Sequence, residues 1–256
     1  MFQELYQYRQ LLKSNIKKEI RGKYKGSFLG VLWSFVNPLL MTLVYAIVFP
    51  FILKNNEPHY ITFLIIGILP WTFFTTVISQ GTYCILANAG IIKKVYFPRE
   101  ILPISIVCSG LVNFLISCII ILLFLIFSQI GFSIYILWLP IVILAQFFLL
   151  LGLIFITSAI NVYIRDAEYI INFIVNMLFY ITPILYSSTL FVGTKIDWVI
   201  KINPMATIIA SYRDILYYQS VPPIKSLCVV LLGSILLVYV GYKIFKKLER
   251  GFAEEV

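Results

Sequence analysis

Two groups of residues in this 256-residue chain have the types and spacing for chemistry, and neither is a catalytic set. The first is residues 91–103, Ile-Ile-Lys-Lys-Val-Tyr-Phe-Pro-Arg-Glu-Ile-Leu-Pro, a short basic and aromatic turn between two apolar runs. Lys93, Lys94 and Arg99, with Val95, Tyr96 and Phe97 among them, have the chemistry of a surface on which another protein docks. The second group is a scatter of rings and amides inside apolar runs: Trp33, Phe35, Asn37 and Tyr45, then Trp71, Phe73, Phe74 and Gln80. Asn172, Asn176 and Tyr180 follow at i, i+4, i+8, which places them on one face of a helix. Rings stack on the C–H faces of sugars while amides pair with hydroxyls. The same residues also fit lipid-facing rings and hydrogen bonds between helices. Both readings stay open.

Other chemistry is excluded by what the chain lacks. No G-x-x-x-x-G-K-[ST] stretch is present, so the chain has no nucleotide-binding loop of its own. His59 is the only histidine, and Cys84, Cys108, Cys118 and Cys228 share no metal-ligand spacing, so no metal site is expected. Asp197 and Asp214 are single, and Asp166 and Glu168 sit beside Arg165, which they neutralise. No nucleophile, base and acid can be assembled around His59, so enzyme chemistry is not expected. The apolar runs carry no ionisable residue at their centres, the groups that ion-coupled carriers use as relays. Any transport would draw its energy from outside the chain.

The elements that must position these residues are membrane helices. The chain is 61% hydrophobic and 12% charged, against about 45–50% and 25% in soluble domains. A spanning helix needs roughly 20 apolar residues. Six runs qualify: Leu29–Leu53, Tyr60–Leu86, Ile101–Ser128, Ile134–Val162, Tyr169–Tyr186 and Ser226–Phe245. The fold class is therefore an all-α integral membrane protein built as a single transmembrane domain over 1–256. Of the 20 Lys and Arg residues, 15 fall in the N-terminal segment, the 87–100 and 163–168 loops and the tail after Tyr242. The positive-inside rule puts that face, and both termini, in the cytoplasm. The net charge of +9 thus follows topology, and nucleic acid is not an expected partner.

Residues 1–28 form an amphipathic interface segment: Phe2, Leu5, Leu12, Ile16 and Ile20 share one face, Arg9, Lys13, Lys17 and Lys18 the other. Gly22, Gly26 and Gly30 recur at i, i+4, i+8, which fits a close helix contact or a bend into the first span. Residues 29–186 hold spans one to five with the 91–100 loop, and 226–256 hold the last span and tail. The external segment 187–225 contains apolar stretches too short to cross a bilayer. It is expected to form two short re-entrant helices broken at Asn203-Pro204.

The run Arg21-Gly22-Lys23-Tyr24-Lys25-Gly26-Ser27-Phe28-Leu29-Gly30-Val31-Leu32-Trp33, with Asn37-Pro38 after it, resembles the approach to the first span of polysaccharide-exporting ABC permeases. Those are the transmembrane subunits for O-antigen, teichoic acid and capsule export. Lys93 to Pro103, Arg165-Asp166, Thr182-Pro183-Ile184, Asn203-Pro204 and Leu248-Glu249-Arg250-Gly251-Phe252-Ala253 are similar to the family in the same order, across essentially the whole chain. The resemblance implies a homodimer in the bacterial inner membrane, joined to two cytoplasmic ATP-binding subunits that hold the ATP and Mg. It implies that the 91–100 loop is a coupling helix, with Lys93, Lys94, Val95, Tyr96, Phe97 and Arg99 docking on the ATPase. It also implies that 188–222 gates the exit, with Trp198, Asn203, Pro204 and Arg213 as gate residues. A lipid-linked glycan would pass Trp33, Phe35, Asn37, Tyr45, Trp71, Phe74, Asn172, Asn176 and Tyr180. Its pyrophosphate would meet Arg9, Arg21, Lys23 and Lys25 at the cytoplasmic mouth, since phosphate favours clustered cations. Two rivals remain at this stage: a permease of the same architecture for a drug or small lipid, and a membrane-embedded sugar-lipid enzyme.

Overall fold

The computed structural model describes residues 6–24, 26, 28, 30–53, 58–187, 193, 194 and 197–256. Lys25 and the side chains of Lys23 and Phe35 lie outside the described residues. Every described element is helical. In chain order the helices are α1 (Arg9–Tyr24), α2 (Trp33–Leu53), α3 (Tyr60–Ala87), α4 (Ala89–Ile92), α5 (Ile101–Phe127), α6 (Leu139–Tyr163), α7 (Ala167–Ile181), α8 (Asp197–Ile202), α9 (Pro204–Leu216), α10 (Ile224–Leu248) and α11 (Phe252–Glu255). Short 3-10 turns cover Gly30–Leu32, Ile134–Trp138 and Glu249–Gly251.

Among the described residues, four helices are long and apolar enough to cross a membrane: Tyr60–Ala87, Ile101–Phe127, Ile134–Tyr163 and Ile224–Gly251. Two shorter apolar stretches, Val36–Pro50 in α2 and Ala167–Ile181, stand where the first and fifth of the six expected spans were read. The fifth was expected to run through Tyr186, but α7 stops at Ile181. Its C-cap, Thr182, is extended at φ −78°, ψ 132°, the conformation that a following proline, here Pro183, imposes by clashing with the helical one. Residues 182–185 leave the helix yet stay buried, so their carbonyls need partners from elsewhere.

The hub is α3, most of which is buried, whereas most of α10 is not. It packs against α2, α5, α6, α7 and α9, while α6 pairs with α10. Apolar burial does little to hold helices together in lipid, and small residues that admit close approach do more. A Cβ on Gly241 would lie 2.6 Å from the Gly152 carbonyl oxygen, and one on Gly152 would lie 2.8 Å from the Val238 nitrogen. The α6–α10 backbones are therefore in contact. Gly81 does the same between α3 and α6, where an added Cβ would meet Ile154 Cδ1 at 2.6 Å.

The expected face of Gly22, Gly26 and Gly30 does not form, because α1 ends at Tyr24. Gly26 and Gly30 have φ of +79° and +50°, and a Cβ on any of the three would meet nothing within 4 Å. They turn the chain toward α2, the bend reading. In α1 the partly buried positions Leu11, Leu12, Asn15, Ile16, Glu19 and Ile20 follow the helical period, and that face lies on α5. The amphipathic helix thus docks on protein.

Candidate functional site

Between Leu64 and Ile85, the only residues of α3 that are not buried are Thr72, Thr75, Thr76, Ser79, Gln80 and Tyr83. Their spacing, i, i+3, i+4, i+7, i+8, i+11, is one continuous helix face. Every one of them carries a hydroxyl or an amide. Two of the hydroxyls also bond within the helix, Thr72 Oγ1 donating to the Ile68 carbonyl at 2.8 Å and Thr75 Oγ1 to that of Thr72 at 3.2 Å. That bonding lets them sit at membrane depth without a cost in unsatisfied donors.

Three clefts open along this stripe. The first, about 410 Å³, lies between α2, α3 and α5 and is lined by Trp33, Asn37, Thr72, Thr76, Gln80, Asn113 and Ser117 among others. The second, about 390 Å³, faces α7 and brings together Asn37, Tyr45, Trp71, Asn176, Phe179 and Tyr180. Ring contacts organise it, with Phe179 5.8 Å from Tyr45 and 5.9 Å from Trp71 between centroids. The third, about 470 Å³, sits at the basic end and is lined by Lys18, Glu19, Ser79, Gln80, Tyr83, Asn88 and Glu168. Asn37 and Thr72 belong to the first and second clefts, and Gln80 to the first and third. One polar face therefore links all three.

Of the sequence-assigned lining residues, Trp33, Asn37, Tyr45, Trp71, Asn176 and Tyr180 meet at these clefts. Phe74 instead lines a separate apolar cavity of about 430 Å³ with Trp71, Leu149, Leu153 and Met205. Asn172 is half-buried and lines none of them. The hydroxyls of α3 were missed by a search for rings and amides. Their recurrence at alternating steps of three and one was present in the sequence and is the signal that finds them.

At the basic end, α3 stops at Asn88, whose Nδ2 donates to the Cys84 carbonyl at 2.8 Å and whose Oδ1 accepts from Lys18 Nζ at 3.0 Å. The helix that follows, α4, covers only Ala89–Ile92. The coupling residues assigned from the sequence come after it: Lys93 and Lys94 lie in a turn, and Val95, Tyr96 and Phe97 have no regular secondary structure ahead of Pro98. Tyr96 is 92% exposed, whereas Phe97 is 7% exposed and faces the core. The two aromatics expected at one surface point opposite ways.

Arg99 is turned toward the C-terminal tail. Its backbone nitrogen donates to Glu249 Oε1 at 3.2 Å, its Nη1 donates to the Glu249 carbonyl, and its guanidinium lies 5.9 Å from the Phe252 ring centre. Beside it, Lys246 Nζ bridges Glu100 Oε2 at 2.8 Å and Glu249 Oε2 at 3.0 Å. Tyr163 Oη donates to the Leu248 carbonyl at 2.7 Å. The loop, the last long helix and the tail form one clamp.

At the opposite end, Asn203 caps α9, accepting from the Met205 nitrogen at 3.0 Å while Nδ2 donates to Thr182 Oγ1 at 2.8 Å; Pro204 is the first helical residue. Arg213, 4% exposed, donates through Nη1 to the Pro183 carbonyl at 2.6 Å and through Nη2 to that of Ile184, with Phe63 beneath it at 3.5 Å. Gly67 makes room, since a Cβ there would lie 2.7 Å from Nη2. Arg213 thus satisfies the carbonyls left free where α7 breaks. Tyr212 donates to Gln146 Oε1 at 3.2 Å, and Gln146 Nε2 donates to the Pro70 carbonyl at 2.8 Å, tying α9 to the centre of the bundle. Trp198 is exposed. Burial pushes the Asp214 carboxyl up to about 6, with Arg213 opposing the rise. Of the head-group cations, Arg21 is exposed, and Arg9 donates to the Tyr6 carbonyl at 3.0 Å; the cation lining the basic-end cleft is Lys18.

A sequence model described as ABC-2 type transporter matches residues 10–217. The O-antigen export system permease protein RfbA of Myxococcus xanthus is 34% identical over 258 residues, 100% of this chain and 99% of that protein. The chain belongs to the ABC-2 type transporter family. Two proteins of the same printed name from Klebsiella pneumoniae are 35% identical over 238 residues, 93% of this chain and 91% of theirs. Membership in the ABC-2 family makes this a multi-pass inner-membrane permease that works with an ATP-hydrolysing partner.

Proposed function

We propose that the chain is the membrane subunit of an ATP-driven exporter that moves a lipid-linked polysaccharide out of the cytoplasm. The observation that carries this is the hydroxyl and amide face of α3, joined to the ring-lined clefts at Trp33, Tyr45, Trp71 and Tyr180. Lipid does not select an open polar stripe in the most buried span of a permease, whereas a hydrated, C–H-bearing polymer does. The relatives named as O-antigen export permeases support the same substrate class.

In this reading the chain spans the membrane six times, with α2 and α7 as the first and fifth spans and both termini cytoplasmic. It forms one domain with the segments read from the sequence, and two copies enclose the path. Lys93, Lys94, Val95 and Tyr96 meet the two ATPase subunits, which supply ATP and Mg. Phe97 and Arg99 hold that surface from behind. Arg9, Arg21, Lys23 and Lys25 attract the lipid pyrophosphate, and α8 and α9 gate the exit through Trp198, Asn203, Pro204 and Arg213. The permease responds to ATP only as far as its two states differ in their contacts with the ATPase.

Restoring surface polysaccharide to a strain that lacks this permease is the direct test. Thr76→Leu and Gln80→Leu are expected to cut export well below the fall in protein abundance. Equal losses would make the stripe a packing feature and refute the reading. The apolar cavity at Phe74 favours a second reading, a small lipid as cargo; export of such a lipid, with glycan export unaffected by the two substitutions, would select it.

A further inference from the structure

We infer that the path is built for an uncharged glycan, and that polymers bearing a phosphodiester or carboxylate in every repeat are poor substrates. This rests on the export reading above. No Asp, Glu, Lys or Arg is among the described residues lining the first or second cleft. What they offer is hydroxyl, amide and ring: Thr72, Thr76, Gln80, Asn113, Trp33 and Tyr45.

The spans of a second copy cannot supply the missing charge. Residues 29–53, 60–86, 101–128, 134–162, 169–187 and 226–242 contain no acidic or basic residue at all. The conclusion therefore holds whether the path runs within one subunit or between two. Arg213 is the buried cation nearest the opposite end, and its guanidinium is spent on the Pro183 and Ile184 carbonyls.

The physics is one of desolvation. A neutral sugar exchanges hydroxyl–water hydrogen bonds for bonds to Thr, Gln and Asn, and keeps its apolar faces on rings. A charge brought into the same clefts loses hydration and finds no counter-charge, which is the expensive case. A lipid pyrophosphate crosses once per polymer, but a charged repeat would incur that penalty all along the chain. Among the described residues lining the basic-end cleft, the cation is Lys18, whose ammonium is already held by Asn88.

The test is flux in proteoliposomes that hold the permease with its ATPase partner. Two donors are compared on the same polyprenyl pyrophosphate and at the same length: a neutral hexose polymer, and its counterpart with one uronate per repeat. The neutral polymer is expected to move at least tenfold faster. Gln80→Lys, which places a cation where the first and third clefts meet, is expected to narrow that ratio severalfold. Equal rates for the two donors in the unaltered protein would overturn the inference and leave the export reading standing. Movement of neither donor, with ATP hydrolysis intact, would overturn both.

Discussion

Lys246 sits between two carboxylates at the joint of loop, last helix and tail, so its removal gives the sharpest test of that clamp. Glu100 is fully buried, Lys246 is about one-third exposed at 33%, and Glu249 is 16% exposed. Lys246→Met keeps most of the side-chain stem and deletes the charge, leaving a buried Glu100 carboxylate without its counter-ion. Breaking a fully buried pair in this way costs about 3–5 kcal/mol. Water reaches Lys246, so screening lowers the expected loss to roughly 2–3 kcal/mol. Glu100 Oε1 also lacks a hydrogen-bond partner among the described residues, so the pair is not an optimised source of stability. The double variant Glu100→Leu with Lys246→Met is therefore expected to recover to within about 1 kcal/mol of the parent. Unfolding in detergent micelles, followed for all four members of the cycle, measures the coupling. ATP hydrolysis by the assembled exporter is read in parallel, and the stable double variant should show weakened coupling to transport. A single variant as stable as the parent, or a double variant whose losses add, would refute the reasoning.

Three further outcomes follow from the same geometry. Arg213→Met frees the carbonyls of Pro183 and Ile184 and is expected to destabilise the fold by about 3 kcal/mol or more; Arg213→Lys should not rescue it, because an ammonium lacks the fork that reaches both oxygens, and thermal unfolding with protein yield checks both. Tyr96→Ala is expected to uncouple ATP hydrolysis from export at unchanged abundance, whereas Phe97→Ala, made in a buried site, should lower abundance through a loss of about 3 kcal/mol; indistinguishable behaviour would refute the opposed orientations of the two rings. Asp214 is raised from 3.8 to about 6, so its charged form opposes folding and stability falls as pH rises through that window. Lowering the pH from 7 to 5 should therefore raise the protection factors of α9 amides, each taken relative to intrinsic exchange at the same pH, and Asp214→Asn should abolish that rise.

Much of the architecture was legible because a bilayer imposes strong constraints on sequence. Four long spans, the amphipathic α1 and the break at Asn203–Pro204 follow from apolar run length, helical period and proline chemistry. The end of α7 was misread by five residues because apolar composition continues through Tyr186, while helix termination is a local backbone matter set at Thr182-Pro183. Gly22, Gly26 and Gly30 looked like a packing face only on the assumption that a helix runs through them. The close contact lies instead at Gly152 and Gly241, 89 positions apart, where spacing along the chain carries no signal.

The sequence by itself determined the class of molecule, because charge and hydropathy decide which segments lipid accepts and which face keeps the cations. It also held the hydroxyl stripe of α3, since helical period alone puts Thr72, Thr76 and Gln80 on one side. Only the tertiary structure decided that this side is left open while the rest of α3 between Leu64 and Ile85 is buried, and that it meets Trp33, Tyr45 and Asn176 from other helices. Only it turned Phe97 inward and Tyr96 outward, bound Arg99 to Glu249 and gave Arg213 to the carbonyls of Pro183 and Ile184. Such pairings join residues far apart in the chain, and a side chain's composition does not say which neighbour folding will bring to it.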